Sequence, residues 1–245
     1  MVKKVVCVCW LFLSVIMLIG CGSNTQTSSQ SNVMSNDSVK TNESQAKTYD
    51  GWTTVKVDGG IEFQIPPTME IQSEGYQNII KQIKPNYYQI QTEDGKLQRI
   101  VAQQKGLNNY EEQARKRYVR AILKFTKSPQ KAFPQWGEDL QQYMTADDLK
   151  SLDESFYSME LPEPNMKFVK LVQNSKIIQV NDISCINTKY ETQLGDNPVV
   201  INDMYIFFNE NRRYIFLTMI RSTEYEYWTA KDVNVQNIIK TIKII

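Results

Sequence analysis

Histidine is absent from this 245-residue chain, and cysteine is scarce, with four residues. Without histidine, the Ser-His-Asp and Cys-His nucleophile arrangements are excluded, together with the commonest imidazole metal sites. The G-x-G-x-x-G, P-loop and calcium-loop patterns are absent as well. We therefore predict a protein that is not an enzyme, with no catalytic residues, no metal site and no cofactor.

A large excess of charge of one sign is also lacking. The formal net charge is +1, and without Lys3 and Lys4 it is about −1. Proteins that bind nucleic acid carry a strongly basic face. We therefore expect no nucleic-acid partner.

Apolar residues form a long run at the N-terminus. Lys3 and Lys4 precede the apolar residues 5–19, a segment too short for a comfortable transmembrane helix. This pattern predicts a secretory signal peptide over residues 1–20. A plain secreted protein with a cleavable signal and an uncleaved anchor are the alternatives.

The run ends in Leu18-Ile19-Gly20-Cys21, which resembles the bacterial lipobox. The resemblance implies cleavage just before Cys21 and attachment of lipid to its thiol. Two or three acyl chains anchor durably, at about 0.8 kcal/mol for each buried CH₂. We expect an extracytoplasmic protein held at the cell membrane by Cys21. Gly22 is not the aspartate that retains Gram-negative lipoproteins at the inner membrane, so in a Gram-negative source we expect the outer membrane.

The other cysteines fit this prediction. Cys7 and Cys9 would leave with the signal peptide, so Cys185 is the one spare thiol and no internal disulfide is expected. Cys185 alternates with Ile183 in a strand-like run, which favours a buried position over a redox or partner-linking role.

Residues 21–48 are dominated by Ser, Asn, Thr and Gln. Such a segment buries too little apolar surface to offset its ordering entropy, which predicts a disordered tether. Residues 49–245 then form a single domain.

Within this domain, segments with the hydrophobic spacing of strands alternate with segments that have the spacing of helices. A hairpin is predicted around Asp58-Gly59-Gly60, and a second one, within residues 87–104, around Asp94-Gly95. Helical spacing predicts a helix over residues 108–125, with Asn109 as its cap and Glu112 as the capping-box partner. The apolar stripe of that helix comprises Tyr110, Ala114, Tyr118, Ile122 and Phe125.

A second helix is predicted to start at Thr145, with Asp148 as its capping-box partner. Period-two segments then predict four or five strands over residues 166–221, with turns at Asn174-Ser175, residues 195–198 and residues 209–211. A closing amphipathic helix carries Val235, Ile238, Ile239 and Ile242. This order predicts an α+β domain, an antiparallel sheet with helices packed on it.

The order of elements resembles the PsbP-like family of α/β/α sandwiches. The residues that carry this resemblance are "GIEFQIPP", "RIVAQQKGLNNYEEQARKRYVRAIL" and "RRYIFLTMIRS…NVQNIIKTIKI". "IVAQQKGLN" before a Tyr-Arg segment also resembles lipoproteins of Bacteroides-type bacteria. Residues 128–165 depart from the basic fold and are interpreted as an insertion. The family implies a binding or assembly accessory and has no common catalytic residue.

Several residues could carry chemistry, and each has a simpler interpretation. Ser128 and Lys131 have the S-x-x-K spacing but lack the S-D-N and K-T-G partners, which indicates coincidence. A paired-carboxylate hydrolase is conceivable, although a solvated face is favoured for these acids. The candidate acids are Asp147, Asp148, Asp153, Glu154, Glu160 and Glu163.

Two further groups are candidates for contacts with partners. A basic helix face could contact anionic lipid or polysaccharide, but the favoured interpretation is that these charges only keep the surface soluble. Its members are Arg115, Lys116, Arg117, Arg120 and Lys124. Tyr225, Tyr227 and Trp228 could form a binding site, but anchoring of the last helix to the sheet is favoured.

These features predict a membrane-tethered accessory of the cell envelope that binds a partner protein without catalysis. The alternative is a small-ligand or glycan binder with a cleft between the sheet and residues 128–165. A carboxylate-based hydrolase is the third option.

Overall fold

A computed structural model describes residues 46–57, 60–83, 98–127, 134–159, 161, 163, 165–209 and 212–245. The signal peptide, Cys21 and nearly all of the tether lie outside these ranges, so the conclusions about them stay predictions. Across the described ranges, no helix is both long enough and apolar enough to cross a membrane.

Within the described ranges, ten strands form two antiparallel sheets. The large sheet has seven strands in the order β3-β4-β5-β9-β8-β7-β6, and the small sheet has the order β1-β2-β10. The strands are β1 Thr53–Val57, β2 Ile61–Ile65, β3 Met69–Ile71, β4 Gln98–Gln104, β5 Val119–Lys127, β6 Met166–Val180, β7 Ile183–Leu194, β8 Val200–Asn209, β9 Arg212–Arg221 and β10 Lys243–Ile244.

The helices are short and lie between these strands. The α-helices are α1 Glu74–Ile83, α2 Glu112–Arg115, α3 Ala146–Tyr157 and α4 Tyr225–Thr229. The described part of the chain also contains 3-10 helices, at Leu107–Asn109, Leu140–Gln142, Ser222–Glu224 and Val235–Thr241. The predicted class, an α+β domain with helices on an antiparallel sheet, is confirmed.

The large sheet has two differently covered faces. Its first face carries Leu123, Phe207 and Phe216, all at most 1% exposed, and packs against the small sheet and the 3-10 helix Val235–Thr241. Its second face carries Ile186 and Ile206 under Leu152 and Phe156 of α3. Apart from Gln103, the largest fully buried side chains are apolar or aromatic, so burial of this surface supplies the main stabilisation of the domain.

Several local predictions are confirmed. The β1–β2 hairpin forms around residues 58–60 with Val57 opposite Ile61. Thr145 and Asp148 form the capping box that starts α3. The last amphipathic segment is helical, with Val235 and Ile238 both 0% exposed, although it is a 3-10 helix rather than an α-helix.

The predicted helix over residues 108–125 is wrong. Tyr110 has a left-handed backbone with φ 58°, α2 is a single turn without a side-chain cap from Asn109, and Val119–Lys127 is strand β5. Val119 and Leu123 are buried on the first face and Ile122 on the second. A strand buried on both faces carries apolar residues at both parities, so its sequence also satisfies helical spacing.

The predicted turn at Asn174-Ser175 is also wrong, because β6 continues through it. The pairing of β6 with β7 shifts register between Gln173 and Lys176, so the two polar residues mark an irregularity in the ladder. The Ser175 amide donates to the Asp153 carboxylate of α3 at 2.8 Å. Turn residues therefore mark a bulge here, held by the helix above it.

The turn at residues 195–198 is confirmed between β7 and β8. The turn at residues 209–211 has Asn209 opposite Arg212 across β8 and β9, and its central residues lie outside the described ranges. Of the second predicted hairpin, β4 is described and residues 87–97 are not. Whether residues 128–165 are an insertion in a basic fold stays a prediction.

Candidate functional site

Four arginines and three tyrosines meet at the end of the large sheet where β5 begins and β9 ends. We call this group the arginine–tyrosine surface. Its members are Tyr110, Arg115, Arg117, Tyr118, Arg120, Arg221 and Tyr227.

Each arginine of this surface lies over a tyrosine ring. The Arg117 guanidinium carbon is 3.5 Å from the ring centroid of Tyr227, and Tyr227 is 40% exposed. Arg120 and Arg221 lie 4.9 Å and 5.7 Å from the ring centroid of Tyr118. Arg115 lies 5.5 Å from that of Tyr110. Such cation–π contacts orient guanidinium groups that would otherwise be free to rotate in solvent.

Gln104, a buried residue at the end of β4, holds the segment that carries the arginines. Its amide nitrogen donates to the carbonyl oxygen of Ala114 at 2.9 Å and to that of Arg117. Its amide oxygen accepts a hydrogen bond from Arg120 at 2.5 Å. Because Gln104 is only 5% exposed, these bonds are shielded from water and fix the turn between α2 and β5.

Glu224 joins the two strands beneath the surface. Its carboxylate accepts from the Tyr118 amide at 2.5 Å and from Arg221 at 2.9 Å. Arg115 and Arg117 are exposed, and Lys116 between them pairs with Glu112 at 3.1 Å. The surface therefore presents positive charge on a rigid base.

The structure brings together two groups that the sequence singled out separately. Arg117, from the predicted basic face, stacks on Tyr227, from the C-terminal aromatic cluster. The basic residues do not share a helix face, because Arg115 ends α2, Lys116 follows that helix, and Arg120 lies in β5. Lys124 also lies in β5, four residues beyond Arg120. Only part of the predicted basic face thus belongs to the site.

The aromatic cluster contains both residues that anchor the C-terminal segment and a residue that is exposed. Trp228 is 2% exposed and packs in the main core with the half-buried Tyr225, which confirms that it anchors the C-terminal segment. The Tyr225 hydroxyl accepts from Gln236 at 2.7 Å. Tyr227 points outwards and is available to a partner.

A shallow depression lies where α3 ends and β6 begins. It has a volume of about 570 Å³ and is lined by Tyr157, Met159, Leu161, Glu163 and residues 166–169. Tyr157 is 67% exposed and stands edge-on to Phe168, with ring centroids 4.9 Å apart. The depression lies between residues 157–163 and β6, and whether residues 128–165 form the predicted cleft stays a prediction.

The candidate acids are spread over different roles. Asp148 caps α3, Asp153 is buried and accepts from Ser175, and Glu154 lies 3.9 Å from Lys150 on the exposed side. Asp147 is exposed and Glu163 lines the depression. Glu160 lies outside the described ranges. The described acids of α3 therefore serve capping, packing and surface charge.

Other candidates have clear outcomes. Cys185 is 0% exposed, and burial, followed by the charge of Asp203, raises the pKa of its thiol, which confirms a buried thiol of low reactivity. Ser128 and Lys131 lie outside the described ranges. Within the part of the chain that is described, no three His, Cys, Asp or Glu side chains are grouped so that they could hold a metal ion.

A polar cluster on the first face was not predicted. Asp203 of β8 is 5% exposed, lies 3.2 Å from the Lys189 ammonium, and accepts from Asn187 at 2.7 Å and from the Tyr205 hydroxyl at 3.2 Å. Burial and then the Asp203 charge raise the pKa of Tyr205. In the sequence these residues are ordinary polar members of alternating strands, so only the pairing of β7 with β8 reveals the cluster.

No protein-family model matches the chain, and no curated protein matches it. Solved structures do match. The solution structure of the PsbP protein CyanoP from the cyanobacterium Synechocystis has 9% identity over 79% of this chain and 92% of that chain, with a TM-score of 0.43. A Pseudomonas aeruginosa protein of unknown function has 7% identity over 75% and 95%, with a TM-score of 0.32. A PsbP protein is therefore among the structures similar to this chain, and neither likeness says what the chain does.

Proposed function

We propose that this protein is a non-enzymatic accessory of the cell envelope that binds a partner protein through the arginine–tyrosine surface. In this proposal, lipid on Cys21 holds the protein at the membrane from the extracytoplasmic side. The observation that carries the proposal is the exposed Arg117–Tyr227 stack on the base formed by Gln104. Arginine and tyrosine, together with tryptophan, are the residue types enriched where interfaces gain their affinity.

The geometry favours a partner that presents carboxylates. A guanidinium stacked on an aromatic ring keeps its N–H edge free, and that planar edge matches the two oxygens of a carboxylate. Arg115 and Arg117 are both exposed and could each engage one acid, while the Tyr227 ring supplies apolar contact area at low entropic cost. We therefore expect an acidic patch with a neighbouring apolar residue on the partner.

The predicted tether supports this role. Residues 22–48 as a random coil would span roughly 30 Å on average, and more when stretched. A domain on such a tether can search a volume around its anchor, and the anchor raises its effective concentration near membrane-bound partners. The tether would thus deliver the arginine–tyrosine surface to its partner.

The test is crosslinking of the full-length, lipidated protein in cells, followed by purification and mass spectrometry. Wild type would be compared with Arg117→Ala and Tyr227→Ala, with Cys21→Ala as the localisation control. Tyr157→Ala is the matched control, since Tyr157 is an exposed tyrosine in a different part of the domain. We expect one partner near equal stoichiometry, lost in the first two variants and retained in Tyr157→Ala.

Two outcomes would contradict the proposal. A partner captured equally by wild type, Arg117→Ala and Tyr227→Ala would show that another surface binds it. Absence of any reproducible partner for the lipidated wild type would remove the adaptor role itself.

The depression beside Tyr157 supports a second candidate function, the binding of a small ligand or glycan. An exposed aromatic ring next to a recess is a typical platform for an apolar or sugar face. The melting temperature of the domain would be measured against a panel of saccharides and small envelope metabolites. A rise that disappears in Tyr157→Ala but persists in Tyr227→Ala supports this function, and a flat response across the panel removes it.

A further inference from the structure

Strand β6, Met166–Val180, is an outermost strand of the large sheet. One edge of its 15 residues pairs with β7, and in the described ranges no strand lies beyond its other edge. A long strand with a free edge can pair with another chain unless charges or bulges prevent it. The residues along this edge therefore decide what it can bind.

Bulges and charge both act against strand pairing here. The pairing of β6 with β7 shifts register three times between residues 168 and 176. Lys167, Lys170 and Lys176 are exposed, and the strand contains no aspartate or glutamate. Register shifts interrupt the regular spacing of backbone groups that an added strand needs, and the lysines would repel a second copy of the same edge. Neither strand addition nor self-association is therefore favoured.

The same edge exposes apolar side chains. Val169 and Val172 each lie within a register shift and are 40% and 51% exposed. Tyr157, the last residue of α3, is 67% exposed. Because a bulge redirects the side chains within it, the register shifts account for two valines that contact solvent rather than the core. We call the following group the β6 edge: Tyr157, Lys167, Val169, Lys170, Val172 and Lys176.

The depression beside Tyr157 joins the apolar and basic parts of this edge. Tyr157, Lys167 and Val169 all line it, and apart from Glu163 and Lys167 its lining residues are apolar or aromatic. Two of them are methionines, whose flexible side chains adapt to apolar groups of irregular shape. The depression therefore offers apolar contact area directly beside an exposed lysine.

Positive charge exceeds negative charge among the described residues of this edge and the acids beside them. Lys170 lies 3.6 Å from Glu191, and the side chain of Lys170 is 61% exposed while that of Glu191 is 18% exposed. A pair at this separation with one exposed partner is weak. Glu163 borders the depression. Three exposed lysines against these two acids leave a basic edge, which is complementary to an anionic surface.

We propose that the β6 edge is the surface on which the domain docks to an anionic lipid bilayer. Valine and tyrosine side chains enter the headgroup region, where tyrosine rings are enriched, and the lysines lie among the lipid phosphates. A fluid bilayer needs no regular hydrogen-bond ladder, so it accepts an irregular edge that an added strand would not match. This inference rests on the membrane anchor of the proposed function and uses no residue of the arginine–tyrosine surface.

The test uses the full-length, lipidated protein reconstituted into vesicles of phosphatidylcholine, with or without phosphatidylglycerol. An environment-sensitive fluorophore on Val169→Cys reports contact with the bilayer through quenching by brominated lipids. Ile79→Cys is the matched control, since Ile79 is 38% exposed and lies in α1, which follows β3 at the opposite edge of the sheet. The buried Cys185 does not compete for the label. We expect several-fold stronger quenching at residue 169 than at residue 79 in vesicles with phosphatidylglycerol.

A second pair of variants tests the contribution of charge. The test variant carries glutamine in place of the three lysines of β6: Lys167, Lys170 and Lys176. The control variant carries glutamine in place of three exposed lysines outside β6: Lys105, Lys116 and Lys231. We expect the preferential quenching at residue 169 to be lost in the test variant and retained in the control. High salt should weaken it as well, because it screens exposed charges.

Three results would overturn the inference. Equal quenching at both labels, in protein that floats with the vesicles, would show that the anchor holds the domain near the bilayer without orienting it, and the proposed anchor would stand. Preferential quenching that survives loss of the β6 lysines would show that anionic lipid is not what this edge recognises. Protein adducts without lipid adducts, from a photocrosslinker on Val169→Cys, would assign the edge to a protein partner.

Failure of the anchor itself is measured separately. Protein that does not float with the vesicles would contradict the lipid attachment at Cys21, and with it this docking. The flotation result therefore distinguishes a failure of the proposed function from a failure of the β6 edge alone.

Discussion

Two partly buried lysines on opposite faces of the large sheet have different charged neighbours. Lys189, on the first face, lies 3.2 Å from Asp203, whose carboxylate also accepts hydrogen bonds from Asn187 and Tyr205. Lys124, on the second face, lies between Arg99 and Arg213. The first charge is neutralised within the chain, and the second lies among charges of its own sign.

The difference separates a closed polar network from a group of neighbouring like charges. Removing one partner from a closed network leaves the other partners unsatisfied, so it costs stability. Removing one of several like charges relieves repulsion, so it adds stability. The sign of the stability change therefore distinguishes the two regions.

The largest effect is expected for Asp203→Ala. This change leaves the Lys189 ammonium, the Asn187 amide and the Tyr205 hydroxyl without their shared acceptor. We expect a loss of about 2–4 kcal/mol in the free energy of unfolding, measured by urea denaturation. The control is Glu191→Ala on the same face, because the Lys170–Glu191 pair is 3.6 Å apart with Lys170 largely exposed, and it should cost under about 1 kcal/mol. Similar losses in both variants would contradict the closed-network interpretation.

Lys124→Met should change stability in the opposite direction. Methionine keeps the length of the side chain and removes the buried charge, so at neutral pH we expect a gain of about 1–3 kcal/mol in the free energy of unfolding. Lys105→Met, at an exposed lysine, should stay within about 0.5 kcal/mol of wild type. A loss of stability in Lys124→Met would mean that the ammonium is already neutralised in the free protein.

The pH dependence should distinguish Lys124 further. Its folded pKa of about 8 lies below the ordinary 10.5 of the unfolded chain, so between these values the unfolded state binds more protons. Its contribution to stability therefore rises with pH across this window, and the penalty is complete below pH 8. The stability difference between Lys124→Met and wild type should shrink from pH 8 towards pH 10.5. A difference that is constant with pH would contradict the lowered pKa.

Other groups titrate in that range, and the variant comparison cancels them. Burial raises the pKa of both Cys185 and Tyr205, so each keeps its proton when folded after the unfolded chain has lost it. These two groups therefore lower stability above pH 9–10 in wild type and variant alike. Only the Lys124 contribution differs between the two curves.

The smallest effect on stability is expected at the arginine–tyrosine surface. Arg117 and Tyr227 are both exposed, so a double-mutant cycle with alanine at each position should give a coupling of about 0.5–1 kcal/mol. The Lys116–Glu112 pair beside it should couple by less than about 0.5 kcal/mol. A zero coupling for Arg117 and Tyr227 would mean that their stack does not persist in solution.

Prediction from the sequence succeeded where a signal is local. The β1–β2 hairpin follows from Asp58-Gly59-Gly60, and the start of α3 follows from Thr145 and Asp148, because turn and cap geometry depend on neighbouring residues. The burial of Cys185 followed from alternation along one strand. Each of these features needs information from only a few consecutive residues.

Prediction failed where a distant strand decides the outcome. Residues 119–127 satisfy helical and strand periods together, and pairing with β4 and β9 selects the strand. The arginine–tyrosine surface could be predicted only in part. Arg117 and Tyr227 were each candidates for contacts with partners, but their contact joins segments 110 residues apart in sequence. Asp203, Arg99 and Arg213 carry no local signal at all.

By itself the sequence determined the composition-level properties of this protein. It determined the absence of histidine, the lipobox-like Leu18–Cys21, the polar stretch before the domain and the α+β class. Tertiary structure alone decided which charges meet. Cross-strand pairing brought Lys189 to Asp203 on one face and Lys124 to Arg99 and Arg213 on the other. Charge interactions depend on distance and burial, and in an antiparallel sheet both are set by strand register rather than by position along the chain.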